Sequence, residues 1–254
     1  MKIISIFNQK GGVGKTTTAI NLSAGLAENN KKVLLIDMDP QGNTSSGLNL
    51  QEEAEGLGLY HVLLENQELG KAIQTSSIEG VKLIPSSSDL AGFEIEAVNI
   101  EDRETILKRR LDDVDGYDYI LIDCPPSISI LTINALTASD SVIIPIQAEY
   151  YSLEGLGSML KTLYLIKKGL NKELYIEGIL VTMYDARNNL SKEVFSEVKN
   201  YFSSLVYETV IPRNIRLAEA PSHGQDIFTY DGLSTGARAY RRLAEEVITR
   251  SDKD

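Results

Sequence analysis

Nine residues near the N-terminus, Gln9-Lys10-Gly11-Gly12-Val13-Gly14-Lys15-Thr16-Thr17, restrict the possible folds of this chain more than any other feature. Ahead of them Lys2–Asn8 is short, apolar and β-branched, as a buried strand should be. Behind them Thr16–Asn29 has a helical pattern, with Ile20, Leu22, Leu26 and Ala27 on one face, and Lys32–Asp37 is a second buried strand. Strand, helix and strand within so short a span predict a βαβ unit with parallel pairing and a right-handed crossover. Gly11, Gly12 and Gly14 let backbone N–H groups approach phosphate oxygens without a Cβ in the way, and the loop opens a helix whose N-terminus favours an anion. Lys15 can place an ammonium on β and γ phosphates, and Thr16 can offer a hydroxyl to Mg²⁺.

The alternation continues along the chain. Strands are expected at Val81–Pro85, Tyr119–Asp123, Ser141–Ile146, Ile176–Thr182 and, last, Val206–Ile211. Helices are expected at Glu101–Leu111, Ile130–Thr137, Leu153–Lys168, Ser191–Phe202 and Ser234–Arg250. This pattern predicts an α/β fold: a doubly wound, mostly parallel sheet with helices on both faces. The connections 40–75 and 212–233 are long for a compact fold, which points to function. The chain's 254 residues suit one large domain, and its 43% hydrophobic and 24% charged content is ordinary for a globular protein. The single Cys124 excludes a disulfide framework and an intrachain cluster site, and His61 and His223 form no ligand pattern. No apolar run is long enough to span a membrane, and the N-terminal stretch is too short for a secretory signal, so a cytoplasmic protein is expected.

Carboxylates follow two of the strands. Asp37 and Asp39 stand in Leu34-Leu-Ile-Asp-Met-Asp-Pro-Gln41, where a strand's carboxyl end would bring them beside the phosphate loop. There a carboxylate can orient an attacking water or hold Mg²⁺ through water. Asp123 ends the apolar strand Tyr119-Ile-Leu-Ile-Asp123 and fits a Mg²⁺-supporting acid. Cys124 after it reads as a small core residue, and Pro125 and Pro126 force a loop that could sense a γ-phosphate.

Charge is distributed unevenly. The formal net charge is −11, yet residues 48–118 alone carry 16 acidic and 6 basic side chains. The last 74 residues are close to neutral, with 10 basic and 11 acidic side chains. A local cationic patch is therefore compatible with the acidic total.

The loop departs from the common phosphate-loop pattern, with Gln9 where glycine is usual and a second lysine, Lys10, following it. This resembles the deviant Walker A pattern. The strings NQKGGVGKTTTAINLSAGLA (8–27), VLLIDMDPQGNTSSGL (33–48), YDYILIDCPPSISILTINALTASDSVIIP (117–145), EYYSLEGL (149–156), DAR (185–187) and VIPRNIRLAEAPSHGQDI (210–227) extend the resemblance almost end to end. Together they are similar to the ParA-type partition ATPases of the short form. The resemblance implies ATP and Mg²⁺ as cofactors and weak, partner-stimulated hydrolysis. It implies a homodimer sandwiching two nucleotides, non-specific binding of that dimer to double-stranded DNA, and a ParB-like centromere-binding partner that releases it. Carried over residue by residue, Lys10 reaches the partner's nucleotide, and Lys10 through Thr17, Val13 included, cradles the phosphates. Asp39 acts on the attacking water, Thr16, Asp123 and Asp39 serve the metal, and Pro212 and Asn214 frame the adenine. Arg187 and Arg216 bind DNA; Lys192, Lys199, Arg238, Arg241 and Arg242 are further candidates for the same patch.

Other members of the wider class fit less well. Nitrogenase iron-protein relatives need cluster cysteines, and MinD-type proteins need a membrane-seeking C-terminal helix. In 236–250 the apolar face is modest and Glu245 and Glu246 oppose anionic lipid, so a docked helix is expected and no membrane partner. Larger ParA proteins carry an N-terminal helix-turn-helix. Here the first strand starts at residue 2, so a single P-loop ATPase domain over 1–254 is expected, nucleoid-associated through DNA. The alternative is a ParA-like positioning ATPase whose cargo is protein.

Overall fold

In the computed structural model, which describes residues 1–50, 57–149 and 152–252, seven strands form one sheet. They are β1 (Lys2–Ile6), β2 (Val33–Asp37), β3 (Gln74–Thr75), β4 (Val81–Ile84), β5 (Tyr119–Asp123), β6 (Ser141–Gln147) and β7 (Tyr175–Thr182). Their order is β3-β4-β2-β5-β1-β6-β7, and every neighbouring pair is parallel except β3 with β4. The sequence-based expectation of a doubly wound, mostly parallel sheet holds, with β3 an edge strand too short to announce itself.

Strand alternation divides the core into two layers. Leu34 and Ile36 of β2, with Ile120 and Ile122 of β5, face the helices Leu59–Leu64, Ile106–Leu111, Ile130–Ala138, Ser152–Gly169 and Asn189–Phe202. Val33 and Leu35, with Leu121, face the helix Lys15–Glu28 and the closing helix Thr235–Ser251. The closing helix is docked, as expected: Tyr240, Leu243, Ala244 and Val247 are buried, and the Tyr240 hydroxyl lies 3.1 Å from the Thr18 hydroxyl. Burial of Leu243 and Val247 contributes about 1.5–3 kcal/mol each, which holds the amphipathic face to the domain. Among the described residues no helix is long and apolar enough to cross a membrane.

The described parts of the long connections hold short helices. Short helices occupy Asn43–Gly47, Leu59–Leu64, Leu69–Ala72, Ile215–Glu219 and Ile227–Asp231. The helix expected over Glu101–Leu111 begins late: Asp102 takes φ +52°, a 3₁₀ turn covers Arg103–Thr105, and α-helix starts at Ile106.

One expectation is corrected. Val206–Ile211 is not a strand; its contacts with β7 are the isolated bridge of Ile179 with Val206 and single backbone bonds, from the Tyr207 N–H to the Ile179 carbonyl at 3.0 Å and from the Ile211 N–H to the Val181 carbonyl at 2.9 Å. The Glu246 carboxylate, on the closing helix, accepts the backbone N–H groups of Glu208 and Thr209 at 2.9 and 3.1 Å. A side chain thus takes the bonds that a ladder would have used. The Tyr207 ring fills the space over Gly178, where an added Cβ would lie only 2.3 Å from it.

The topology also separates charge. The described residues of the acidic stretch 48–118 include β3 and β4 at one sheet edge, whereas the segment bearing Arg187 follows β7 at the other.

Candidate active site

The phosphate loop leaves β1 at the carboxyl edge of the sheet, between the ends of β5 and β6. Gly12 and Gly14 take φ +73° and +88°, a left-handed conformation that a side chain would strain. Gly14 then caps the helix Lys15–Glu28, its carbonyl accepting the Thr18 N–H at 2.9 Å. The far side of the loop is fastened to the sheet: the Thr182 hydroxyl, with its one hydrogen, lies within donating distance of the carbonyls of Val13 at 2.9 Å and Ile146 at 3.1 Å.

Lys15 is buried and its ammonium donates to the Lys10 carbonyl at 3.2 Å. Burial holds its pKa below the ordinary lysine value, against the opposing pull of the Asp123 and Asp39 carboxylates. A phosphate is the anion such a desolvated cation lacks.

Asp123 is fully buried at the end of β5. Its Oδ2 accepts the Thr16 hydroxyl at 2.8 Å and the Thr44 hydroxyl at 2.7 Å, while Oδ1 has no hydrogen-bond partner. Burial raises its pKa, and nearby Asp39 adds to the rise, against the Thr44 and Thr16 bonds and the Lys15 charge. An orphaned buried carboxylate oxygen beside a threonine hydroxyl suits a hard cation. No cluster of three or more His, Cys, Asp or Glu side chains is present among the described residues. A cation here would therefore complete its shell with phosphate oxygens and water.

The two acids after β2 differ. Asp37 is fully engaged: Oδ2 accepts the Ser45 N–H at 2.8 Å and the Ser45 hydroxyl at 2.7 Å, and Oδ1 accepts the Asp39 N–H at 3.2 Å. It anchors the turn and is not placed to act on water. Asp39 keeps 7% of its surface exposed and uses Oδ1 to accept the Gln41 N–H at 3.0 Å. Cys124 is a buried core residue, its thiol pushed up to about 12 by burial.

Beside the loop a cavity of about 370 Å³ is lined by Gly14, Thr17, Met183, Pro212, Asn214 and Tyr240. Pro212 and Asn214 thus share a pocket with the phosphate loop. Asn214 caps the helix Ile215–Glu219 through its Oδ1 and donates to the Thr235 hydroxyl at 2.8 Å.

The remaining predicted residues lie outside this cluster. Lys10 is turned back on its own chain, donating to Gln147 Oε1 at 3.0 Å and Glu149 Oε2 at 3.2 Å. Arg187 is gripped by Asp185 through two bonds of 3.0 and 2.9 Å, and Arg216 pairs with Glu219 at 2.9 Å and Asp231 at 3.5 Å. Lys199 pairs with Glu208 and Arg241 with Glu28. Arg238 and Arg242 are exposed, without an ion pair among the described residues, and line a groove with Tyr184, Pro212 and Thr235. Tyr150 and Tyr151 of the EYYSLEGL string lie outside the described residues.

The sequence reading passed over Thr44, Ser45, Gln147 and Met183. Thr44 and Ser45 stand in the quoted string after β2, but only their burial against Asp123 and Asp37 distinguishes them.

A family described as "AAA domain" matches residues 1–176. The Bacillus subtilis (strain 168) "Sporulation initiation inhibitor protein Soj" is 55% identical over 247 residues, spanning 97% of this chain and 98% of that protein. The Treponema pallidum (strain Nichols) "Chromosome-partitioning ATPase Soj" is 50% identical over 250 residues, spanning 98% of each. This chain belongs to the ParA/Soj family of chromosome-partitioning ATPases. The fold of the ParA/Soj chain is shared more widely. A Mycobacterium smegmatis cobyrinic acid a,c-diamide synthase, solved with ADP and magnesium, superimposes with a TM-score of 0.87 at 35% identity, over 99% of this chain and 96% of that one.

Proposed function

We propose that this ATPase is a nucleotide-switched DNA partition protein, one ATPase unit over 1–254 that moves a chromosome or plasmid. The observation that carries the catalytic half is the meeting of the phosphate loop, Thr16 and the orphaned Asp123 oxygen at one sheet edge. ATP and Mg²⁺ are the cofactors that this donor set fits.

In this reading the backbone of Lys10–Thr17 and the Lys15 ammonium hold the β and γ phosphates. Pro212, Asn214 and Met183 frame the base. Mg²⁺, when bound, neutralises charge that develops on the phosphoryl oxygens. The Thr16 oxygen can ligate a cation while its hydrogen still goes to Asp123, so Asp123 orients that ligand from behind. Asp39, at the rim, aligns the attacking water. Lys10 crosses to the nucleotide of a second copy, so the ATP-bound state is a dimer. That dimer binds double-stranded DNA without sequence preference, through Arg187, Arg216 and also Arg238 and Arg242, which have no ion pair among the described residues, and this puts the protein on the nucleoid. A ParB-like partner stimulates hydrolysis and releases it.

The position of the described acidic residues around β3 and β4, at the opposite sheet edge, supports this, because phosphate contacts near the β7 edge then lie away from that acid. The test is DNA binding by the full chain at several salt concentrations with ADP, ATP and a slowly hydrolysed ATP analogue. Salt-sensitive binding to any sequence, present only with ATP or the analogue, is expected. Equal binding with ADP, or none, overturns the DNA reading and leaves a protein-cargo ATPase.

A further inference from the structure

The side chain of Lys10, at the start of the phosphate loop, is bonded back to its own chain. Gln147 ends β6, and its amide donates to the Gly12 carbonyl at 2.8 Å and to the Met183 sulfur at 3.3 Å. With its Nε2 so fixed, its Oε1 faces Lys10 and accepts the ammonium at 3.0 Å. Glu149, two residues on, receives the same ammonium at 3.2 Å. The loop is stiffened at its base, where the Lys10 N–H donates to Asn8 Oδ1 at 2.9 Å and the Asn8 amide donates to the Pro145 carbonyl at 2.7 Å. Lys10 is thus a directed side chain with a two-oxygen berth.

We infer that Gln147 and Glu149 are positioning residues that berth Lys10 in the unpaired chain and so set the nucleotide threshold at which two copies join. The inference rests on the reading of Lys10 as the cross-dimer lysine. A lysine cannot occupy its own berth and a neighbour's nucleotide together, so every dimer formed releases two berths. The berth is weak enough to release. Both side chains of the ion pair are about half exposed, 48% for Lys10 and 49% for Glu149, and such pairs are screened by salt. A buried pair would hold Lys10 permanently; no berth at all would let it reach a partner before γ-phosphate had assembled the interface.

The test is sedimentation of the full chain, titrated with a slowly hydrolysed ATP analogue at low and high salt. Glu149→Gln is expected to dimerise at roughly two- to thirtyfold lower analogue or protein concentration, because two exposed pairs of about 1.4- to fivefold each no longer compete. Glu149→Asp, which keeps the charge, should stay near the wild-type midpoint. The gap between Glu149→Gln and wild type should narrow at high salt, a change that a purely structural role would not produce. Gln147→Ala should move the midpoint in the same direction. An unchanged or higher midpoint for Glu149→Gln, with wild type dimerising normally, overturns the berth. If instead wild type does not dimerise, or Lys10→Ala dimerises as wild type does, the cross-dimer reading itself fails.

Discussion

Asp37 and Asp123 face one another at the last register position of β2 and β5, both without solvent contact. Burial first, and the Asp123 charge second, lift the Asp37 pKa; burial, and then Asp39, lift that of Asp123. Two carboxylates on adjacent strand ends are a standing cost in the ligand-free chain. Serine and threonine donors reduce that cost and a bound cation would remove more of it.

The sign of the pH dependence follows. A carboxyl whose folded-state pKa is raised contributes stability below its ordinary pKa, near 4, and loses it as pH climbs through the raised value. Asp123→Asn removes one charge of the cluster. Without nucleotide or Mg²⁺ it should be more stable than wild type at pH 8 by about 1–3 kcal/mol, at roughly 1.4 kcal/mol per pKa unit, and converge with wild type towards pH 4–5. Urea midpoints at both pH values check this, and ATP hydrolysis should be lost throughout.

Thr44 shares the Asp123 Oδ2 atom with Thr16. Thr44→Val keeps the shape and removes the hydroxyl, so Asp123 loses one of its two donors. Turnover should fall about tenfold, the usual cost of removing an outer partner of a metal ligand, with a raised Mg²⁺ requirement and little change in ATP affinity. A Mg²⁺ titration of hydrolysis reads both; an unchanged Mg²⁺ midpoint would remove Thr44 from the site.

Asp39 and Lys15 should separate chemistry from binding. Asp39→Ala leaves the phosphate loop and the cavity intact, so it should bind ATP, remain dimeric and fail to hydrolyse. Lys15→Ala deletes the buried cation that the phosphates need, and a nucleotide titration should show affinity lost by about a hundredfold or more, in line with an unpaired buried charge costing 3–5 kcal/mol.

Much of the fold was legible because a parallel sheet buried on both faces writes its strands as continuous apolar runs. Tyr119–Asp123 is such a run, and its limits are as expected. Val206–Ile211 misled because apolar content marks burial, not continuous pairing; there a Glu246 carboxylate takes the middle two N–H groups and only Tyr207 and Ile211 bond to β7. The loop, Asp39 and Asp123 were readable from residue type and spacing. Thr44 and Gln147 were not, because a hydroxyl or amide gains meaning only from the buried carboxylate or lysine it meets across the fold. Charge balance around Arg187 and Arg216 was likewise invisible, since Asp185, Glu219 and Asp231 are paired to them by turns and short helices.

That pairing alters which arginines should matter most for DNA. Arg187 carries a bidentate carboxylate, and a phosphate must displace Asp185 before it gains the guanidinium. Arg238 and Arg242, one helical turn apart, have no such competitor among the described residues and lie on one groove. Each phosphate contact contributes about 0.9 to the slope of log affinity against log salt. The double variant Arg238→Ala, Arg242→Ala should thus flatten that slope by about 3–4 per dimer, while Arg187→Ala should flatten it by less than about 2. Both should dimerise with ATP as wild type does, since neither touches the phosphate loop. Fluorescence anisotropy between about 50 and 200 mM salt measures the slopes. A double variant with the wild-type slope would return the main contact to the carboxylate-paired arginines, with DNA displacing Asp185 and Glu219 as it binds.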